Sequence, residues 1–231
     1  MSTETGKVSI LNDESLALTL WNLELARLTG TPNDKKLVNV ALNWIIKRQK
    51  DPGRYGLGFA APTEEDYRSA ILPTGEKLNS RAGTAHLLGE EALWALSKWL
   101  GPGKNSVREG LLGMLGRARR FRAYSDRGRY CCTTCSLSLW RALAASEMPE
   151  GMPFLERGLT TLSLSRDGKL GWKGFQFAYT IFALASLEHT LADSELIYAG
   201  GRIERALKLL RISRDPYGLR RLGYEAALKR I

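Results

Sequence analysis

The sequence predicts an all-α protein built from stacked helical hairpins, and two observations predict it. Apolar residues recur at i, i+3 and i+4 almost throughout, as in Leu16, Leu20, Leu23 and Leu28. That is the stripe of an amphipathic helix, and alternating strand-like runs are nearly absent. The chain also repeats itself. Ala41–Tyr55, Gly110–Tyr130, Gly158–Trp172 and Ala206–Gly218 each begin a helix at a small residue and end it in Gln or Arg. Each then passes an Asp, a Gly and usually an aromatic. The segments that follow, EALWALSKWL, SLSLWRALAA, YTIFALASLE and GYEAALKRI, carry similar apolar cores. Hairpins of this kind bury both faces only by stacking on one another.

Helices are expected at 14–29, 35–50, 84–100, 105–121, 131–146, 153–165, 174–191, 195–212 and 220–231. Gly30 stops the first. Asn33-Asp34 open the second, whose stripe is Leu37, Val40, Ala41, Trp44 and Ile45. Thr84, with Leu87 and Leu88, opens the third, and Gly101-Pro102-Gly103 closes it. Asn105-Ser106 precede the fourth, Asp167-Gly168 follow the sixth, and Asp193-Ser194 precede the eighth. The stretch 51–83 holds Gly53, Gly56, Gly58, Pro62, Pro73 and Gly75 and reads as one long loop. Such a loop is either a lid over a site or a surface insertion. Residues 1–13 read as a polar tail, and 14–231 as one domain of about four and a half hairpins.

The chain has 231 residues, enough to bury a sizeable core. With 44% hydrophobic and 25% charged residues, disorder is excluded as the dominant state. No run of about 18 uncharged apolar residues exists, so no transmembrane segment is expected. Met1–Lys7 lacks the pattern of a signal peptide. Three cysteines, two of them adjacent, argue against a disulfide scaffold and for a reducing, cytoplasmic setting. A net charge of +10 points to an anionic partner.

One repeat carries a recognisable motif: Ala41, Trp44, Ile45, Gln49, Gly53 and Tyr55 in register, with Val40 at a position usually basic and Tyr55 in place of Trp. Weaker copies run Arg157, Gly158, Leu162, Arg166, Trp172 and Arg205, Ala206, Leu209, Leu210, Arg214, Gly218. Over roughly residues 35–231 the chain resembles the α/α-toroid superfamily of squalene–hopene-type terpene cyclases and protein prenyltransferase β-subunits. The motif reads as a structural staple between hairpins: a small residue for close approach, a planar polar end group, and an aromatic to stack on it. The resemblance implies a toroid whose inner helices run parallel, with their amino ends gathered at one rim of a central cavity. With fewer hairpins than a full ring, the toroid is expected to be incomplete, or completed by a second copy. The family's acidic motifs, Asp-x-Asp-Asp and Asp-Asp-x-x-Asp, are missing, as are Cys-Gly-Glu-Gln and Cys-His-Gly. Any enzymatic activity on isoprenoid-like substrates therefore has no assigned acid.

Tyr130-Cys131-Cys132-Thr133-Thr134-Cys135 lies at an expected inner-helix start. Cys132, Cys135 and His86, with Asp126 as a fourth ligand, are the cluster that could hold zinc; the alternative is cysteines that fill core. A ligand site at the same rim draws on Arg54, Tyr55, Arg81, Arg122, Arg129, Tyr130, Trp172, Lys173 and Phe175, guanidinium groups for a diphosphate and aromatics for an apolar chain. The basic residues read also as a solvated face, or as nucleic-acid contacts without a recognised reading motif. Glu64, Glu65, Asp66 and Glu90-Glu91 are the acidic groupings near the rim. The functional expectation is an isoprenoid-binding helical domain, with a protein-binding scaffold or a nucleic-acid-binding helical repeat as alternatives.

Overall fold

The computed structural model describes residues 9–30, 35–48, 60–78, 80–101 and 126–231, with isolated positions 109, 112, 113 and 116. Among the described residues the protein is all-α: nine helices, one 3-10 turn, two isolated bridges and no strand. None of these helices is long and apolar enough to cross a membrane.

Helix α1 (Leu16–Thr29) begins at Ser15, whose hydroxyl accepts the Leu18 N–H, and ends at Gly30 in the left-handed region (φ 59°). Upstream, Ile10 is buried in the core and Asn22 donates to the Ser9 and Ile10 carbonyls, so the expected tail docks from residue 9 onward. Helix α2 (Lys35–Lys47) turns Val38, Ala41, Leu42 and Ile45 inward against α1.

The expected loop 51–83 needs correction. It contains α3 (Glu64–Ser69), opened by a capping box between Thr63 and Asp66, and an Ile71–Lys77 bridge. A six-residue helix is too short to show a periodic stripe; Thr63-x-x-Asp66 was its only sequence signature. Asp66 is buried and also locks the start of α1, accepting from Ser15 Oγ (2.7 Å), Leu16 N–H (3.0 Å) and Ala17 N–H (3.1 Å).

Helix α4 (Arg81–Leu100) starts three residues earlier than expected because Ser80, not Thr84, caps it. Every residue from Thr84 to Ser97 is buried, the mark of a helix enclosed by others. The expected helix at 105–121 falls almost wholly outside the described residues. Helices α5 (Thr133–Ser146) and α6 (Met152–Leu164) match expectation closely. Helix α7 (Phe177–Ala185) is shorter than expected at both ends, and α8 (Thr190–Lys208) starts early, capped by His189 Nδ1 accepting the Leu191 N–H. A 3-10 turn (Ile212–Arg214) leads to α9 (Leu219–Leu228).

The packing forms a cycle. Helix α1 touches α4, α4 lies along α5, α5 touches α7, α7 lies along α9, and α9 returns to α1. Outside it, α2 packs on α1, α6 on α5, and α8 on α6, α7 and α9. Close approach of α6 depends on Gly158, where a Cβ would sit 2.3 Å from the Trp140 ring. The start of α5 meets those of two other ring helices: Thr133 Oγ1 donates to the Gly174 carbonyl before α7 (2.8 Å), and Cys135 Sγ lies 3.8 Å from the Gly83 carbonyl in α4; Arg220 Nε, at the start of α9, donates to Thr74 O (2.6 Å) in the segment between α3 and α4. The opposite ends meet too, since Leu28, Lys98, Ala185 and Arg230 line one cleft of about 410 Å³.

Candidate metal centre

Two helices and one turn build the site. Helix α4 supplies His86, one and a half turns below its Ser80 cap. The turn before α5 supplies Cys131, the N-cap of α5 is Cys132, and its first turn supplies Cys135. Three donors, one each from His86, Cys131 and Cys135, lie within 4.8 Å of one another. Cys132 Sγ is 3.4 Å from Cys135 Sγ. Ligand atoms around a tetrahedral zinc at Zn–S of about 2.3 Å stand roughly 3.8 Å apart, so the spacing of these three donors suits that ion, with Cys132 Sγ touching Cys135 from outside the group.

The local backbone is built to aim these thiols. Cys131 has φ 47°, a left-handed conformation that a non-glycine residue adopts only under constraint. Ser136 Oγ supplies the constraint by accepting the Tyr130 N–H (3.2 Å) and lying within hydrogen-bonding distance of the Tyr130 and Cys132 carbonyls. Cys131 and Cys132 are exposed, whereas Cys135 is buried. Hydrogen bonds from the Cys131 and Cys135 thiols, then the Cys135 and Thr134 amides of the helix start, hold the Cys132 thiol below its ordinary range. The same contacts push the other two upward: Cys131 as donor to Cys132, and Cys135 as donor to both neighbours and by burial.

Glu90 lies one turn beyond His86. It is fully buried; Ser138 is bonded to its Oε2, and its Oε1 has no hydrogen-bond partner among the described residues. Burial first, then the Cys132 and Glu91 charges, push its carboxyl well above the usual range against the pull of Ser138. The hydroxyl count agrees. Ser138 has one proton and two neighbours that accept, the Cys135 carbonyl (3.0 Å) and Glu90, and a protonated Glu90 supplies the missing donor.

The middle of the helix cycle, where the resemblance implies a ligand cavity, is occupied by Arg141. This side chain is fully buried. From α5 it reaches Glu24 on α1 (2.9 Å), Glu91 on α4, and Ser186 at the end of α7 (3.1 Å). Its guanidinium lies between the Trp94 ring (4.3 Å) and the Phe182 ring (4.5 Å). Tyr179 donates its hydroxyl to Glu91 (2.7 Å). Burial pushes Glu24 up, but Arg141, Arg27 and the Trp94 N–H outweigh it and hold the carboxylate below its ordinary range. Burial dominates at Glu91, which stays raised despite Arg141 and Tyr179. For Arg141 burial is likewise the largest influence, but Glu91 and Glu24 overcome it and hold the guanidinium charged.

The expected ligand residues separate into three sets. Arg54, Tyr55 and Arg122 lie outside the described residues. Arg129, Tyr130 and Phe175 are near the thiols: Tyr130 is 5.8 Å from the His86 ring and Arg129 lies over Phe175 (5.2 Å), whereas the Arg81 guanidinium turns to α3, stacked on Tyr67 (4.0 Å) and paired with Glu64 (3.6 Å). Trp172 and Lys173 are not ligand-facing there. Trp172 is buried with its indole N–H on Glu195 (2.7 Å), and Lys173 is an exposed residue whose backbone N–H bonds Ser165. Asp126, expected as the fourth metal ligand, is exposed and stands outside the donor group; Cys131 takes that place. Of the acidic groupings, Asp66 is a cap, Glu64 and Glu65 are exposed, and Glu90 and Glu91 point to different partners. No family model, curated protein or solved structure matches the chain.

Proposed function

We propose that this chain is a metal-binding helical domain of the α/α-toroid type, holding a zinc-class ion at the amino-end mouth of its helix cycle. The observation that carries the reading is the convergence of His86, Cys131 and Cys135 within 4.8 Å, with Cys132 Sγ beside them. A turn of the Cys132 side chain, whose Sγ now touches Cys135 from outside the donor group, would complete a Cys3His set and make the ion a clamp between the start of α4 and the start of α5. Exposed Cys131 and Cys132 give the ion an entry path. Arg129, two residues before Cys131, favours an anionic group arriving there. With Arg141 filling the axis, an isoprenoid diphosphate or similar ligand is proposed to dock at the mouth rather than inside the ring.

Cobalt substitution tests this. The reduced, metal-stripped chain should take up one equivalent of Co(II) with visible bands of a tetrahedral ion and a strong thiolate-to-cobalt charge-transfer band. His86→Ala and Cys135→Ser should lose the tetrahedral spectrum. An apoprotein that binds no cobalt above the level of a cysteine-free variant refutes the reading.

A further inference from the structure

We infer that Cys132 and Cys135 form a dithiol–disulfide couple that exchanges with small-molecule disulfides of the glutathione type. This inference stands apart from the metal reading, because it concerns the metal-free thiols. Their Sγ atoms already touch at 3.4 Å. They are three residues apart across the first turn of α5, so they share one face. Residues so placed hold their Cα atoms roughly 5–6 Å apart, the span a disulfide prefers. Closing the bond needs the two sulfurs to approach, not the backbone to be rebuilt.

The pair is asymmetric in the way an exchange reaction requires. Cys132 is exposed and open to an incoming disulfide; Cys135 is 1% exposed and sheltered behind it. Cys132 as thiolate attacks one sulfur of the small disulfide, forming a mixed disulfide and releasing one small thiolate. Cys135 then attacks the Cys132 sulfur, its proton passing to the thiolate already released, and the second small thiolate departs. Two protein thiols are oxidised by two electrons, and one small disulfide is reduced to two thiols. Cys131 is the poorer partner for Cys132, because adjacent cysteines close a ring too small for relaxed disulfide geometry. Oxidation and metal binding compete for Cys135, so a bound ion would protect the pair.

The test uses the full chain, reduced, stripped with a chelator, and equilibrated in buffers of reduced and oxidised glutathione. Alkylation followed by peptide mass mapping should find two of the three cysteines lost to alkylation, a mass lower by two hydrogens, and a Cys132–Cys135 cross-link. Cys131→Ser should keep the cross-link. Cys135→Ser should stop at a stable glutathione adduct on Cys132; should that variant not fold, the wild-type map and Cys131→Ser decide. Three alkylatable thiols in excess oxidised glutathione, a lasting adduct on the wild type, or a map joining Cys131 to either neighbour would overturn the inference. A chain that binds no cobalt but forms the cross-link refutes the metal reading and leaves this one standing.

Discussion

Arg141→Ala is the sharpest perturbation of this fold. The substitution removes a guanidinium that is fully buried and joined to Glu24, Glu91 and Ser186 while lying between Trp94 and Phe182. Breaking a buried ion pair by deleting one partner costs about 3–5 kcal/mol, because the other charge is left uncompensated. Glu24 keeps Arg27 (3.0 Å) and the Trp94 N–H (3.1 Å), so the orphan is chiefly Glu91, which among the described residues keeps the Tyr179 hydroxyl. The cavity left between two rings offsets that partial shelter, and a loss of about 4 kcal/mol is expected. For a chain of this size that is a fall in Tm of about 8–16 °C. Glu91 is already raised by burial and loses its main counter-charge in the variant. A carboxyl raised in the folded state stabilises at low pH and loses that contribution as pH rises, so Arg141→Ala should be less destabilised at about pH 5 than at about pH 8. Replacing both partners, Arg141→Met with Glu91→Leu, should recover most of the loss and give a coupling of about 2–3 kcal/mol. Urea unfolding followed by circular dichroism measures all of this. A single-variant loss under about 1 kcal/mol, or a double variant as unstable as the sum of the singles, would refute the ion-cluster account.

Three further outcomes are expected. In chelator-treated protein Glu90→Gln should gain stability relative to wild type as pH rises from about 5.5 to about 8, because the wild-type carboxyl is held protonated in the fold and its contribution is lost across that range; urea midpoints at several pH values check the slope. Asp66→Ala strips acceptors from Ser15, Leu16, Ala17 and Thr63 at once and should cost about 2–4 kcal/mol, with hydrogen exchange rising first at the start of α1. Gly158→Ala drives a methyl into the Trp140 ring and should cost about 1–3 kcal/mol, read as a Tm drop with a changed Trp fluorescence.

The helical class, and most helix ranges from α1 onward, were legible because amphipathic stripes and cap residues report on local structure. Gly158 was legible as a close-approach residue, since it stands at the small position of the repeated hairpin motif; the structure puts Trp140 there. The staple at Arg166 and Trp172 was half legible. Both side chains do clamp the next hairpin, but through Glu195, and Arg166 stacks on Tyr198 (4.4 Å) instead of on Trp172. His86 and Cys135 could be brought together from helix phase alone, whereas Cys132, expected with them, stands outside the donor group and touches Cys135. Cys131 could not, because its side chain reaches the group only through a left-handed φ that no stripe encodes. Arg141 is illegible for a different reason: in SLSLWRALAA it looks like a single polar break in an apolar helix, and its partners lie 50 and 117 residues away. Pairing over such distances leaves no trace in one sequence.

Glu90 and Glu91 show how the buried charge is apportioned. They are neighbours on α4, yet one faces Ser138 and the thiols while the other faces Arg141 and Tyr179. Along the middle of the cycle the ionised groups balance, Glu24 and Glu91 against Arg141 and Arg27. A third carboxylate at Glu90 would carry uncompensated charge in a low-dielectric core, so in the metal-free fold the proton stays on it. A divalent ion on the thiols beside it changes that balance. The ion supplies the positive charge that Arg141 supplies to Glu91, and it would draw the proton from Glu90 as well as from the cysteines. Metal uptake should therefore release more protons than the thiols alone provide, and Glu90→Gln should reduce the count by up to one. Titration of zinc into weakly buffered protein with a pH indicator measures it. Equal proton release from the wild type and from Glu90→Gln would mean that Glu90 does not sense the ion, and the mouth and the core would then be electrostatically separate.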